Sequence, residues 1–362
     1  MTFKHFLRPL GLAATVCLGA TALKAGEDLA WLYTWRASTP DAFSESFVKE
    51  HPEGLVIDTF MVPDEAEARL AAQNTGYDVS VLPAEIVKRL AEMDALMPID
   101  TPVAIDWEAA PASASVAQTD ALSRVADYYV PYVWGTTGLV MDVEAIRARL
   151  PDAPLDSWDL LFDPQNAAAL SDCGISIIDS PQEIFSLALH HLGRDPHGVT
   201  TEDFDAGFAA LREIMPHVRR VSYKQLEEMS SGDTCLGLVW STVGLTLAKH
   251  VPNSNYTYVV PKEGSLIWSN VLVAPKSEEA DSHRGELLTH ILSEENAETL
   301  ANYVQAILSP KTFTGDMSAE QVAIAQASLP EGLGDLMFAL RPLSGPKKYA
   351  LDKRWRRLLI GQ

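Results

Sequence analysis

The sequence predicts an α/β protein of two lobes that exchange strands and leave a cleft between them. Three observations carry this. Short apolar runs alternate with segments of helical spacing from the start: Leu29 to Tyr33, Leu55 to Phe60 and Val79 to Leu82 read as strands. Between them Phe43, Phe47 and Val48 recur at helical spacing after Ser38, Thr39 and Pro40, and Ala66 to Ala72 reads as a helix with Leu70 and Ala71 inward. Strand, helix, strand at this spacing argues for right-handed βαβ units and a mostly parallel sheet. Finally, the chain is long enough for two cores, yet no linker separates two sequential domains. Strand exchange leaves sheet-end loops on both walls of a cleft.

Residues 101–127 are rich in Ala, Ser and Pro with little periodicity, a surface excursion and not a domain break. Strand character resumes at Tyr129 to Trp134 and at Leu139 to Met141, with Gly135-Thr136-Thr137-Gly138 read as a turn between them. A helix over Val143 to Leu150 follows, then a segment around Trp158 and a strand at Gly174 to Ile178. Helical patterns cover Gln182 to His191, Phe204 to Ile214 and Tyr223 to Met229, and Leu236 to Trp240 reads as a buried strand. The last third holds strands near Tyr256 to Val260 and Val271 to Ala274, and helices around Gly285 to Leu292 and Ala297 to Gln305. The expected lobes are 26–133 with about 253–300, and 134–252 with about 301–362.

Residues 1–25 follow an export pattern: Lys4 and Arg8 are basic, Leu10 to Leu23 is apolar and Ala25 is a small cleavage residue. The apolar run is shorter than the roughly 20 residues of a membrane span and is interrupted by Gly11 and Gly19. Thr15 and Val16 before Cys17 do not make a lipobox. Cleavage removes three basic and no acidic residues, taking the formal charge from −21 to −24, with 25 Lys+Arg facing 49 Asp+Glu. Nucleic acid is thereby disfavoured as a partner, and cationic solutes are attracted. Cys173 and Cys235 are the cysteines left, and in an oxidising compartment a bridge between them is the simplest reading. Neither has Cys or His neighbours at zinc-ligand spacing, so no metal site is expected from them.

No phosphate loop, dinucleotide fingerprint, HExxH motif or nucleophile elbow is present, so no cofactor and no catalytic set is expected. His190 and His191 lie on a helix with no ligand partner at metal spacing. Tryptophan is the informative residue: Trp35, Trp134, Trp240 and Trp268 fall at strand ends or in the loops after them. An aromatic face stabilises an ammonium by about 0.5–2 kcal/mol, and several together form a cage, although each ring taken singly also suits a core.

Against this background the chain resembles the periplasmic putrescine- and spermidine-binding proteins of bacterial ABC transporters. The resemblance rests on Tyr33-Thr34-Trp35, Thr75-Gly76-Tyr77-Asp78, Pro131 to Gly138, Asp156-Ser157-Trp158-Asp159, Leu192 to Pro196, Gly232-Asp233-Thr234-Cys235 and Val260 to Gly264, in this order along nearly the whole mature chain. It implies a two-lobed, type II-like periplasmic binding fold that closes on its ligand and docks on permease subunits, working as a monomer and not as an enzyme. It also implies a Cys173–Cys235 disulfide.

The site carries over less fully than the fold. Trp35 and Trp240 match ligand-packing tryptophans, Trp268 replaces a phenylalanine wall and Glu183 matches an amine-binding carboxylate. Arg36, Ala37 and Glu85 stand where the pattern has serine, aspartate and serine; Val243 and Asn270 replace two aspartates, and Ala306 a tyrosine. Losing one partner of a buried charge pair costs about 2–5 kcal/mol, so these exchanges alter the chemistry expected. Glu183 also fits a capping box, Ser180-Pro181-Gln182-Glu183, with the carboxylate returning to the cap amide. Glu85 fits a helix start, and Asn270 a turn.

The expected ligand is a polyamine or modified amine held by the tryptophans with Glu183 and Glu85. The alternative is a zwitterionic or modified amine whose carboxylate Arg36 holds through two parallel hydrogen bonds. Calorimetry on Arg36→Ser separates them: affinity for a diamine holds or rises in the first case, and affinity for a zwitterion collapses in the second.

Overall fold

The computed structural model describes residues 29–106, 124–251, 255–277 and 283–361. The export segment expected at 1–25 lies outside the described residues, as do 107–123 of the Ala-, Ser- and Pro-rich stretch. The chain opens with β1 (Ala30–Trp35), α1 (Asp41–Glu50), β2 (Leu55–Phe60), α2 (Pro63–Ala71), β3 (Val79–Pro83), α3 (Ala84–Glu92) and β4 (Leu96–Met97). The middle part runs β5 (Tyr129–Asp142), α4 (Val143–Arg149), α5 (Asp159–Phe162), α6 (Pro164–Leu170), β6 (Ile175–Ile177), α7 (Pro181–His191), α8 (Thr201–Ile214), β7 (Arg220–Val221), α9 (Gln225–Ser230), β8 (Leu236–Trp240) and α10 (Ser241–His250). It ends with β9 (Tyr256–Val259), β10 (Leu266–Pro275), α11 (Arg284–Leu292), α12 (Glu294–Tyr303), β11 (Ile307–Leu308), α13 (Ala319–Ser328), β12 (Phe338–Ala339) and α14 (Gly345–Leu359).

The strands follow the order β2-β1-β3-β10-β5-β8-β6-β7. The two wings, β2-β1-β3 and β8-β6-β7, are parallel as the βαβ spacing predicts. The centre is not: β10 runs antiparallel to both β3 and β5, and β8 and β9 run antiparallel to β5. The sheet is therefore mixed, because the long strands that join the lobes return through the centre in opposite directions.

Within the first lobe, period-two alternation divides the strand residues between two faces. Leu32, Val79, Val81 and Leu272 pack with Phe43, Phe47, Leu288 and Ile291 of α1 and α11 on one side. Tyr33, Leu82, Val271 and Val273 pack with Leu70, Ile86 and Leu90 of α2 and α3 on the other. The second lobe repeats the device, with Leu139, Ile177 and Leu238 on one face and Val140 and Val239 on the other. Two short strands fall across the expected lobe limits near 253 and 301: β9 pairs with the second half of β5 and β11 with its first half, while β12 pairs with the start of β10 and packs in the second-lobe core.

The Gly135 to Gly138 string is not a turn. It lies in the middle of β5, fourteen continuous residues that pair with β10 up to Thr136 and with β8 from Thr137 onward. Its glycines serve close packing: a Cβ at Gly135 would meet the Trp268 ring at 2.2 Å, and one at Gly138 would meet the Tyr258 hydroxyl at 2.6 Å. The signal read as a turn is thus a strand against which aromatic side chains pack closely.

Cys173 and Cys235 form a disulfide with Cα atoms 5.5 Å apart, closing a loop of 62 residues at the start of β6 and β8. In the chain-entropy picture such a loop is worth about 4 kcal/mol. Replacing both cysteines by serine is expected to lower the unfolding free energy in urea by about 2–4 kcal/mol. The amino ends of β6 and β8 lie at the edge away from Trp240, so ligand affinity stays unchanged.

Candidate ligand-binding site

Parallel strands gather functional side chains at their carboxyl ends. Trp35 ends β1 and Trp240 ends β8, and their rings meet across the lobes edge to face, with centroids 5.6 Å apart at 71°. Trp35 is backed by Phe60 at 4.6 Å and Trp240 by Tyr223 at 5.8 Å. A methylene chain sandwiched between two rings needs about 7–8 Å, twice a carbon contact distance. A ligand therefore enters with the lobes parted, or lies beside the pair.

Glu183 belongs to the first turn of α7 and is 5% exposed. The capping box expected there does not form: Ser180 is the N-cap without a side-chain bond to the helix backbone, and its hydroxyl instead donates to the Glu183 carboxylate at 2.9 Å. The indole N–H of Trp240 donates to both carboxylate oxygens, at 3.2 and 3.1 Å, and the Thr137 hydroxyl donates at 3.0 Å. These donors favour the anion, but burial outweighs them and the carboxyl is held above its usual range.

Glu85 opens α3 on the opposite lobe. Its carboxyl is pushed up to about 7, first by desolvation and then by the Glu183 charge, against the opposing pull of its own backbone N–H and of Arg89. Arg89 itself is committed to Glu67 through two bonds of 2.6 and 2.7 Å. Among the described residues no cationic side chain bonds to the carboxylate of Glu85 or Glu183. The Tyr223 hydroxyl is driven far up by burial and, in decreasing order, by Glu183, Asp179, Asp64 and Glu85. These acidic groups converge on the space beside Trp240.

The remaining predicted positions divide. Asn270 joins the site: its side-chain oxygen accepts from the Trp35 indole at 3.3 Å, at a bulge where β10 slips register against Pro131 and Val133 of β5. This replaces the turn reading. Trp268 lies over Gly135 with its indole donating to the Thr136 carbonyl at 3.0 Å, and packs against the cores of both lobes. Val243 packs against the cluster of Trp134, Tyr258 and Ile324, and Ala306 is buried in the first lobe. Arg36 is exposed and reaches the Met61 sulfur at 2.9 Å, and among the described residues it bonds to no carboxylate. A cavity of about 800 Å³ beneath Trp134, bordered by Leu308, Phe313 and Leu329, includes none of the paired carboxylates.

Sequence reasoning missed Tyr223, Thr137 and an ion pair at the rim. Tyr223 was read as the start of a helix and instead lies in the loop before α9, and Thr137 was hidden in the glycine string. The rim pair is Lys348 of α14 with Asp64 of α2, at 3.6 Å. It joins the two lobes.

The sequence and fold are similar to those of known proteins. Residues 47–319 match the family of bacterial extracellular solute-binding proteins. The chain belongs to that family. A putrescine/agmatine-binding protein of Pseudomonas aeruginosa is 31% identical over 82% of this chain and 83% of its own. The putrescine-binding periplasmic protein PotF of Escherichia coli is 27% identical over 88% and 87%. In fold, this solute-binding protein is similar to a putative spermidine/putrescine ABC transporter protein from Listeria monocytogenes, with a TM-score of 0.74, 19% identity and coverage of 92% of this chain and 100% of that one.

Glu85 holds its proton more tightly in the folded protein, at about 7, than at its unperturbed value of 4.5. The folded state therefore binds more protons between these values, and stability falls as pH rises across that window. Urea melts of the ligand-free protein between about pH 5 and pH 8 should show this slope, and Glu85→Gln should flatten it. An unchanged slope in the variant would mean that the carboxyl is solvated.

Proposed function

We propose that this protein is the periplasmic receptor of an ABC importer and binds a polyamine, or a close derivative of one, between its lobes. The observation that carries the reading is the approach of two carboxylates, Glu85 and Glu183, from opposite lobes beside Trp35 and Trp240, with no cation bonded to either. An ammonium supplies what this arrangement lacks. It offers three donors to two anions, its charge draws the proton off Glu85, and its methylene stem suits indole faces. The names of the relatives support the same ligand class.

The other end of the ligand meets a neutral wall. Asn270 has its carbonyl oxygen engaged by Trp35, and Val243 is turned into a core. A second ammonium gains less there than from the two aspartates of the resembling pattern, so one strongly held amine and a less polar far end fit best. The reading through Arg36 has no support in the geometry, since that side chain faces Met61.

The rest of the proposal follows from this role. The first 25 residues are removed on export, and the mature receptor works as a monomer that hands its ligand to permease subunits and binds no nucleic acid. The lobes comprise 26–133 with about 253–300 and 134–252 with about 301–362, apart from the two short strands, β9 and β11, that cross those limits. Closure completes contacts made from both walls.

The test is calorimetric titration of the mature, ligand-stripped protein with putrescine, spermidine, agmatine, a γ-glutamylated diamine and a cationic amino acid. Saturable one-to-one binding of an unmodified or singly modified amine is expected. Glu183→Gln should weaken it by about 2 kcal/mol or more, roughly 30-fold. Silence toward every amine, or an indifferent Glu183→Gln variant, would overturn the assignment.

A further inference from the structure

At the opposite edge of the first lobe, four side chains form a closed circuit of ligating atoms. His51 is the C-cap residue of α1 and Glu53 follows it in the loop before β2; His283 and Glu286 belong to the start of α11. The Nδ1 atom of His51 lies 3.4 Å from a Glu53 oxygen and 3.4 Å from a Glu286 oxygen. The Nδ1 atom of His283 lies 3.1 Å from the same Glu286 oxygen and 3.9 Å from the same Glu53 oxygen. We propose that these four residues bind a single zinc ion.

The distances carry the argument. Zinc bonds of about 2.0–2.2 Å to nitrogen and oxygen set tetrahedron edges of roughly 3.3–3.6 Å. The four His–Glu separations, 3.1–3.9 Å, bracket that range, and the ligating atoms of His51, Glu53 and Glu286 all lie within 4.8 Å of one another, with His283 at the outer side of this group. Simple ion pairing explains them less well, because an Nδ1–H points in one direction whereas each Nδ1 here stands between two carboxylate oxygens. A cation among His51, Glu53 and Glu286 uses these three groups at once, and His283, 3.1 Å from the shared Glu286 oxygen, completes the set by a small inward shift. Two neutral imidazoles and two carboxylates exactly neutralise a divalent ion, and an N₂O₂ set suits zinc better than calcium or magnesium, which prefer oxygen alone.

The ligands are also oriented. The His51 ring stacks on Phe47 at 4.6 Å, and the buried Nε2 of His283 has no hydrogen-bond partner, which leaves Nδ1 as the working face of that ring. The site joins residues 51–53 to 283–286, segments far apart in sequence that both pack on one face of the first sheet. It lies at the amino end of β1 and β2, one strand length or about 20 Å from Trp35. The ion thus acts as a clamp on the first lobe, outside the amine cleft.

The experiment is titration of chelator-treated, tag-free mature protein with zinc chloride, followed by calorimetry and thermal melts. One zinc per chain and a thermal midpoint raised by several degrees are expected. Cobalt in place of zinc should give the visible absorption of a tetrahedral ion. The double variant His51→Ala, Glu286→Gln should lose at least ten-fold in zinc affinity, while His250→Ala, at an exposed histidine elsewhere, should keep it. Circular dichroism and amine titration of the double variant check that it folds and that the cleft is untouched. Zinc binding of equal affinity in the double variant, or no saturable binding by the parent, would overturn the proposal.

Discussion

The structure depends on one strand. β5 carries the chain from the first sheet into the second without a break, and its partners change from β10 to β8 between Thr136 and Thr137. At about 3.3 Å per residue it spans roughly 45 Å, so both lobes are hung on a single hydrogen-bonded element. Much of the site is set by its register. Thr137 donates to Glu183, Thr136 receives the indole of Trp268, and the bulge opposite Asn270 turns that side chain toward Trp35. Bulges re-aim side chains beside functional sites, and this one does so at the junction of the lobes.

Much of the fold was legible because it rests on local patterns. β2 and β8 occupy the residues their apolar runs predict, and α7, α8 and α11 fall within a few residues of theirs. The parallel wings also followed from spacing. The antiparallel centre did not, because strand direction across the middle is decided by which distant segment returns beside β5. The Gly-Thr-Thr-Gly string misled for a related reason: a glycine that admits an indole ring is indistinguishable in sequence from one that turns the chain.

The site was legible in parts. Trp35, Trp240, Glu183, Glu85 and Asn270 converge, and sequence pattern had nominated each. What it left open was the partner of every carboxylate. Ser180 and Glu183 have ideal capping-box spacing, yet the hydroxyl turns to the carboxylate and the carboxylate turns to Trp240. A long-range indole donor therefore outcompeted a local amide, a choice made by tertiary packing. Tyr223 carried a helical signal but none for the site, since an aromatic at a helix start is unremarkable until its neighbours are known.

The two facing carboxylates also give the molecule a way to report its own state. On the proposed reading Glu85 and Glu183 sit on lobes that part and close, so their mutual repulsion acts along that coordinate and favours separation whenever both are ionised. A bound cation reverses the sign of that force. Shape and occupancy are thereby coupled without any moving loop, and a partner that recognises only the closed outline selects filled molecules and passes over empty ones.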